Sequence, residues 1–103
     1  RLSVPQLEQL ALQAGWPAAE ANRAARIAKR ESGGDPRARA FVMQPKPGFG
    51  REDSRGLWQI NVLAWPAFAA VDLYDPLINA KAALAVRRAQ GWSAWALSSR
   101  AEP

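Results

Sequence analysis

The chain has 103 residues, 49% of them hydrophobic, which suits one domain with a core of its own. It contains no Cys and no His, which excludes disulfides, thiolate nucleophiles, Ser–His–Asp triads and metal sites built from these residues. Any proton transfer must then use Asp, Glu, Lys or Tyr. The net charge of +5 favours polyanions such as nucleic acid, anionic lipid or cell-wall polymers, although an Arg-rich protein without such a partner has the same charge.

The apolar runs are all shorter than the roughly 18 residues of a membrane span, so we expect no span. No signal-peptide pattern is visible. Because the sequence starts with Arg1 rather than Met, we expect it to be part of a longer polypeptide or an assembly such as a virion. We interpret residues 1–103 as a single domain in which 98–103 form a frayed tail or linker.

Two helices are predicted first along the chain. Ser3 and Gln6 have the spacing of a capping box before a leucine-rich helix that closes at Gly15. Trp16-Pro17 then opens a second helix, and the Gly-Gly-Asp-Pro run at 33–36 ends it. Together they predict a helical first third.

The middle of the chain is predicted to be irregular over residues 37–55, because its Pro, Gly and charged residues suit turns. Residues 57–61 alternate between apolar and polar side chains and predict a short strand or extended segment. A minimal hairpin over 49–61 is therefore the most β structure that we expect. Residues 65–71 predict a short helical turn.

The last part of the chain is predicted to be helical again. Asp75 caps a helix that starts at Pro76 and ends at Gly91. Ser93 is predicted to cap a final short helix that reaches Leu97. Asp72 and Asp75 lie near Asn79, but helix capping explains them better than a metal site. No metal or cofactor is predicted.

Glu31 stands out because it continues the apolar helix face of Ala24, Ile27 and Ala28. A carboxyl on such a face is costly unless it is paired or is neutral with a raised pKa. A raised pKa is what a general acid needs near neutral pH. The alternative is an ordinary ion pair with Arg30, Arg55 or a C-terminal Arg.

Four sequence blocks carry a resemblance to a known family. Residues 31–38 (ESGGDPRA) resemble the "ESGGNPxA" signature of the lysozyme-like superfamily, which includes lytic transglycosylases. Residues 53–61 (DSRGLWQIN) resemble its "GLxQIN" segment, and residues 72–80 (DLYDPLINA) resemble the "DLxDPxxNAxAA" helix start of phage-associated and actinobacterial members. Residues 90–95 (QGWSAW) are similar to their "QGWxxW" ending. The blocks occur in the family order over residues 24–97.

The resemblance implies a mainly α, lysozyme-like fold with helices around a cleft. It implies that Glu31 is the general acid, that Trp95 packs near it and raises its pKa, and that Gly56 lets the backbone turn close to the sugar. It places the substrate at a set of polar and aromatic side chains: Ser54, Gln59, Asn61, Tyr74, Trp92 and Trp95. For Gln59 the alternative is a side chain that braces the backbone, and Trp58 is predicted to be core.

The second catalytic carboxylate is assigned to Asp53, with Glu52 in reserve. The spacing from Asp53 to Gly56 differs by one residue from that of animal lysozymes, and Arg51 and Arg55 could hold Asp53 in a surface ion pair. Lytic transglycosylases need only one catalytic Glu, but the chain lacks their "AYN" block after Trp95. The resemblance therefore favours hydrolysis and leaves the lytic route open.

The function implied is cleavage of the β-1,4 bond between N-acetylmuramic acid and N-acetylglucosamine in peptidoglycan glycan strands. The setting implied is extracytoplasmic, at the cell wall or in a virion tail. One alternative is a glycan-binding module that has lost catalysis. Another is a basic helical DNA-binding domain, because one predicted helix carries Arg23, Arg26, Lys29 and Arg30.

Overall fold

The structure is a computed structural model that describes residues 1–44, 46–48 and 50–96. The prediction for Leu97 and for the tail 98–103 lies outside these residues. Helices dominate, and the mainly α, lysozyme-like fold class is confirmed. No helix in the described ranges has the length and apolar character needed to cross a membrane.

The elements in chain order are α1 (Val4–Gln13), α2 (Ala18–Ser32), β1 (Arg39–Val42), β2 (Glu52–Arg55), β3 (Ile60–Asn61), a 3₁₀ helix (Pro66–Ala70), α3 (Pro76–Gln90) and a second 3₁₀ helix (Gly91–Trp95).

The helix starts follow the capping residues that the sequence indicates. The Ser3 Oγ accepts from the Gln6 backbone N–H at 3.3 Å, and the Gln6 Oε1 accepts from the Ser3 N–H at 2.8 Å, so the capping box is confirmed. The Asp75 carboxylate accepts from the Ile78 N–H at 3.0 Å at the start of α3. Pro17 precedes the first residue of α2 as its cap. Side-chain capping hydrogen bonds therefore mark the starts of α1 and α3, whereas Pro17 caps α2 without one.

The core is built from small helix faces and large indoles. The buried face of α2 consists of alanines with Ile27 and Ser32, so this helix leaves space that other elements must fill. Trp58 fills part of it: its side chain is completely buried and its Nε1–H donates to the Ala24 carbonyl at 3.0 Å. The Trp16 ring stacks on Trp58, with the ring centroids 6.3 Å apart. The prediction that Trp58 is core is confirmed.

A three-stranded antiparallel sheet in the order β1-β2-β3 replaces part of the segment predicted to be irregular. That prediction is wrong over 39–42, where β1 pairs with β2 in the register Arg39 to Arg55 and Phe41 to Asp53. The hairpin expected within 49–61 is present as the antiparallel pair of β2 and β3. Neither β1 nor β2 has the alternation of apolar and polar residues that marks a strand, because β2 reads EDSR and β1 reads RAFV. Residues 56–59 form a turn, so β3 is limited to Ile60–Asn61.

The final segment differs from the prediction that Ser93 caps a helix. Ser93 lies inside the second 3₁₀ helix, where its hydroxyl donates to the Gln90 carbonyl at 2.9 Å. Gly91 ends α3 as predicted, with a φ of 71° and its N–H bonded to the Arg87 carbonyl. The chain thus turns at Gly91, and the 3₁₀ helix brings the Trp95 side chain into the core.

Candidate active site

Glu31 is the next-to-last residue of α2, and its side chain is half-buried. The helix ends at Gly33, which has a φ of 65°, and Gly34 follows with a φ of 83°. The Leu2 N–H donates to the Gly34 carbonyl at 2.8 Å, and a Cβ on Gly34 would overlap the Leu2 carbonyl oxygen. Only glycine fits this close approach with a left-handed backbone. The loop after Glu31 is therefore held against the first residues of the chain.

Two side chains brace the end of this helix. The Lys29 ammonium donates to the carbonyls of Leu2 and Gly33, both at 3.1 Å, and so places a positive charge where the helix dipole is negative. The Ser32 hydroxyl donates to the Ala28 carbonyl at 2.9 Å and accepts from the Gly34 N–H at 3.2 Å. Lys29, together with Ser32 and Gly34 of the first family-like block, thus fixes the backbone that carries Glu31.

The turn from Gly56 to Gln59 is locked onto α3 by Asn79. The fully buried Asn79 side chain accepts from the Trp58 N–H at 2.8 Å and donates to the carbonyls of Arg55 and Leu73, both at 2.9 Å. Gly56 has a φ of 77° and packs so closely that a Cβ would overlap Asn79 and the Leu73 carbonyl oxygen. The sequence analysis missed this role of Asn79, although an Asn on the buried face of an alanine-rich helix is the signal for it.

Gln59 braces the backbone and still presents one polar atom. Its side-chain NH₂ donates to the carbonyls of Ala38 at 3.1 Å and Gly56 at 3.0 Å. Because both partners are acceptors, the Oε1 atom points elsewhere, and no described residue donates to it. Its φ of 49° is the only positive one at a non-glycine residue in the ranges described. Such a strained conformation is concentrated at functional sites.

Asn61 bonds to the backbone through its amide oxygen, whereas Gln59 does so through its NH₂ group. Its Oδ1 accepts from the backbone N–H groups of Asp53 at 3.2 Å and Leu63 at 3.1 Å. Its NH₂ group donates to no residue in the described ranges. Gln59 and Asn61 therefore offer one acceptor and one donor at neighbouring positions of the chain.

These two amides line a concavity of about 190 Å³. Trp95 lines it from the other side, and its buried indole N–H donates to the Trp58 carbonyl at 2.7 Å. The remaining lining residues are Ile60, Ala64, Trp65, Val86, Gln90, Ser93 and Ala94. The structure thus brings together three predicted site residues, Gln59, Asn61 and Trp95. Glu31 is not among the described residues that line the concavity.

Asp53 is held by two arginines. The Arg39 guanidinium donates to its two oxygens at 2.9 and 3.1 Å, and the Arg55 guanidinium donates at 3.3 and 2.8 Å. These hydrogen bonds, from Arg39 first and then Arg55, hold the pKa of Asp53 well below its usual range, although burial opposes the shift. The alternative of a surface ion pair with Arg51 and Arg55 holds for Arg55 only, because Arg39 takes the place of Arg51. The pair is also not on the surface, since Asp53 is only 5% exposed.

Ser54, Trp92 and Tyr74 lie in other surroundings. Ser54 is buried and pairs with Asn61 in the sheet, on the opposite face of β2 from Asp53. The Trp92 ring contacts the guanidiniums of Arg23 at 4.3 Å and Arg87 at 4.5 Å, and it stacks on Trp16. Protein groups therefore occupy much of its surface.

Tyr74 is half-buried and lines a second concavity of about 290 Å³ with Arg37. Its backbone N–H donates to the Asp72 carboxylate at 3.0 Å, which agrees with a turn-capping role for Asp72. The structure therefore does not group Tyr74 with the three residues of the first concavity.

The comparison with known families agrees with this architecture. The family model described as "Lysozyme like domain" matches residues 8–97, which is most of the chain. Neither a curated protein nor a solved structure gave a significant match. Lysozyme-like domains of this kind act on peptidoglycan. The match includes α2 with Glu31, the whole sheet and α3, so the chain belongs to the lysozyme-like domain family.

Proposed function

We propose that this domain cleaves the β-1,4 bond between N-acetylmuramic acid and N-acetylglucosamine in peptidoglycan, with Glu31 as the general acid. The observation that carries the proposal is the family match over residues 8–97, which contains a carboxyl at the end of a helix whose following loop is rigidly braced. In this role Glu31 protonates the glycosidic oxygen as the bond breaks. The activity requires no cofactor.

The surroundings of Asp53 bear on the type of reaction. A hydrolase of this kind uses a second carboxylate to stabilise the oxocarbenium ion or to position water. Asp53 already accepts four hydrogen bonds from two guanidiniums, so little of its negative charge is available to a sugar. This arrangement supports the route with one catalytic carboxyl, in which the N-acetyl group of the substrate assists and a 1,6-anhydro end forms. We therefore propose the lytic transglycosylase reaction ahead of hydrolysis, which reverses the preference drawn from the sequence.

Mass spectrometry of digested peptidoglycan distinguishes the two reactions. We expect 1,6-anhydromuramic acid ends, and we expect the folded fraction of an Asp53→Asn variant to keep most of its activity. Reducing muramic acid ends, together with a large loss of rate in Asp53→Asn, would instead establish Asp53 as the second catalytic carboxylate.

The same ion-paired Asp53 predicts how stability depends on pH. A carboxyl with a lowered pKa in the folded state stabilises the fold above its unfolded pKa of about 3.9, and this contribution is lost as the pH falls through the folded pKa. At pH 7, Asp53→Asn should lower the free energy of unfolding by about 1–3 kcal/mol, since hydrogen bonds to a charged group are lost. Urea denaturation of both proteins from pH 7 to pH 2 should show this difference shrinking below about pH 4. A difference that is constant over this range would contradict the assignment.

Gln59 and Asn61 are proposed to recognise the acetamido group of an amino sugar. That group has one N–H donor and one carbonyl acceptor, which match the Gln59 Oε1 and the Asn61 NH₂. A concavity of about 190 Å³ suits one substituent rather than a whole disaccharide. Trp95 would form the apolar wall against the acetyl methyl group.

Asn61→Asp tests this recognition because it keeps the acceptor that the Asp53 and Leu63 N–H groups need and removes the donor. We expect KM to rise about tenfold with little change in Tm, which corresponds to one lost hydrogen bond. De-N-acetylated peptidoglycan is the matched control. Because the proposed route needs the N-acetyl group for cleavage, binding of this control is compared as Kd in a Glu31→Gln background, where Asn61→Asp should bind it as tightly as the parent does. An equal loss on both substrates would show that Asn61 does not contact the acetamido group.

The setting proposed for the domain is extracytoplasmic, at the cell wall or in a virion tail, within a larger polypeptide or assembly. The net charge of +5 supports association with an anionic wall. A turbidity assay on peptidoglycan and a gel-shift assay with duplex DNA separate the enzyme from its alternatives. Wall binding without lysis would indicate a glycan-binding module, and a gel shift without lysis would indicate a DNA-binding domain.

A further inference from the structure

One face of the sheet carries a fixed pair of guanidiniums. The register of β1 and β2 places Arg39 opposite Arg55 and Phe41 opposite Asp53, so the four side chains share that face. Asp53 supplies one negative charge to two positive charges, which leaves a net charge of +1. Both arginines bind it through Nε and Nη2, and their Nη1 groups donate to no residue in the described ranges.

These guanidiniums are held in place before any ligand arrives. Each makes two hydrogen bonds to one buried carboxylate, and the Arg39 guanidinium also lies over the Phe41 ring, 4.5 Å from its centroid. A side chain that is already ordered loses little conformational entropy when it binds a ligand. Arg39 is still 44% exposed and Arg55 is 23% exposed, so both can reach a bound group.

Tyr74 and Arg37 extend this surface. The Asn79 side chain donates to the carbonyls of both Arg55 and Leu73, which brings Tyr74, the residue after Leu73, close to Arg55. In agreement, the pKa values of Arg39 and Arg55 are raised, mainly by the hydrogen bonds to Asp53 and in smaller part by interaction with Tyr74. Arg37 lines a concavity of about 290 Å³ together with Tyr74. Within the described ranges, neither the Tyr74 hydroxyl nor the Arg37 guanidinium has a hydrogen-bond partner.

We propose that Arg37, Arg39, Arg55 and Tyr74, here called the cationic patch, bind a carboxylate of the peptide stems of peptidoglycan. The inference rests on the proposed function. Guanidinium N–H groups and a phenol hydroxyl are all donors, and together they suit an oxyanion. The patch is close in sequence to the site, since Arg37 follows the loop after Glu31 and Arg55 precedes the turn that carries Gln59. A glycan strand bound at the site carries its stems with it, so their carboxylates are held at high local concentration.

Arg37→Gln tests the patch without disturbing the bonds to Asp53. Arg88→Gln is the matched control, because it removes the same charge from an exposed position in the last turn of α3. Both are made in the Glu31→Gln background, so that binding is measured without cleavage. The ligands are peptidoglycan stripped of phosphate polymers, the same material with its stems removed by an amidase, and a purified wall phosphate polymer.

We expect Arg37→Gln to lower the affinity for stem-bearing peptidoglycan about tenfold, the effect of one lost charge-assisted hydrogen bond. Its affinity for stem-free glycan should be unchanged, and Arg88→Gln should bind both as the parent does. Tyr74→Phe, which removes only the hydroxyl, should also weaken binding of the stem-bearing material.

Equal binding of the stem-bearing material by parent and Arg37→Gln would overturn the inference. A loss confined to the phosphate polymer would also overturn it, since the oxyanion would then be a phosphate. Neither result affects the proposed function, which is tested separately by cleavage with Glu31 intact. Absence of cleavage by the Glu31-containing protein, with stem-dependent binding retained, would reject the enzyme and leave a binding module.

Discussion

Glu31→Gln is expected to lower the rate of peptidoglycan cleavage by about 10²–10⁴-fold, the usual contribution of a general acid. Gln has nearly the shape of Glu but cannot donate a carboxyl proton. The bonds that end α2 come from Lys29, Ser32 and the two glycines after it, and the change removes none of them. The loss should therefore appear in kcat with the fold intact, as measured by release of soluble muropeptides and by circular dichroism.

Glu8→Gln is a suitable control for this experiment. It makes the same chemical change on α1, where the Glu8 carboxylate accepts from the Asn22 side chain at 3.1 Å, and a Gln carbonyl can keep that bond. Its activity should match that of the original protein. A Glu31→Gln variant with undiminished cleavage would reject Glu31 as the acid, and Glu52 would then be the next carboxyl to test.

Gly56→Ala is expected to destabilise the protein by about 2–5 kcal/mol, the sum of the left-handed backbone cost and the cost of overpacking. The added Cβ would overlap the Leu73 carbonyl oxygen and the Asn79 amide, neither of which can move without breaking the bonds that hold Trp58 and Arg55. The turn that carries Gln59 would shift as a result. Chemical denaturation measures the loss of stability, and KM reports the shift of the turn.

Gly50→Ala provides the comparison, because a Cβ at that position would meet no atom within 4 Å. We expect its stability to change by less than about 1 kcal/mol. If Gly56→Ala were as stable as Gly50→Ala, the close packing of this turn against α3 would be incorrect.

Features set by neighbouring residues were predictable from the sequence. The Ser3 capping box and the Asp75 cap depend on hydrogen bonds over three residues, so their spacing alone indicates them. The glycines at 33 and 34 likewise identify the end of α2. The family-like blocks then pointed to the fold, which the family match confirms.

The sequence indicated the hairpin of β2 and β3 within 49–61, but β1 could not be predicted because distant residues stabilise it. Arg39 and Asp53 are 14 positions apart, and Asn79 reaches Arg55 over 24 positions. A local window around β2 contains Arg51 as the obvious partner for Asp53, and nothing in it indicates that Arg39 takes that place. Polar strands held by ion pairs also lack the apolar alternation on which strand prediction depends.

Part of the predicted set of site residues lies together in the structure, and part of it does not. The resemblance to the family's "GLxQIN" segment implied that Gln59 and Asn61 bind substrate, and both line one concavity with Trp95. Which end of each amide is free depends on the backbone groups of Ala38, Gly56, Asp53 and Leu63, and these are fixed only in the folded chain.

The contact between Leu2 and Gly34 has a practical consequence for handling this domain. A purification tag or fusion partner joined directly to Arg1 would lie beside the loop that follows Glu31, because the Leu2 N–H donates to Gly34 in that loop and the Leu2 carbonyl accepts from Lys29 of α2. A bulky attachment would crowd that loop, and trimming the first two residues by a protease would remove one of the two carbonyl acceptors of Lys29. A flexible spacer before Arg1 relieves the crowding.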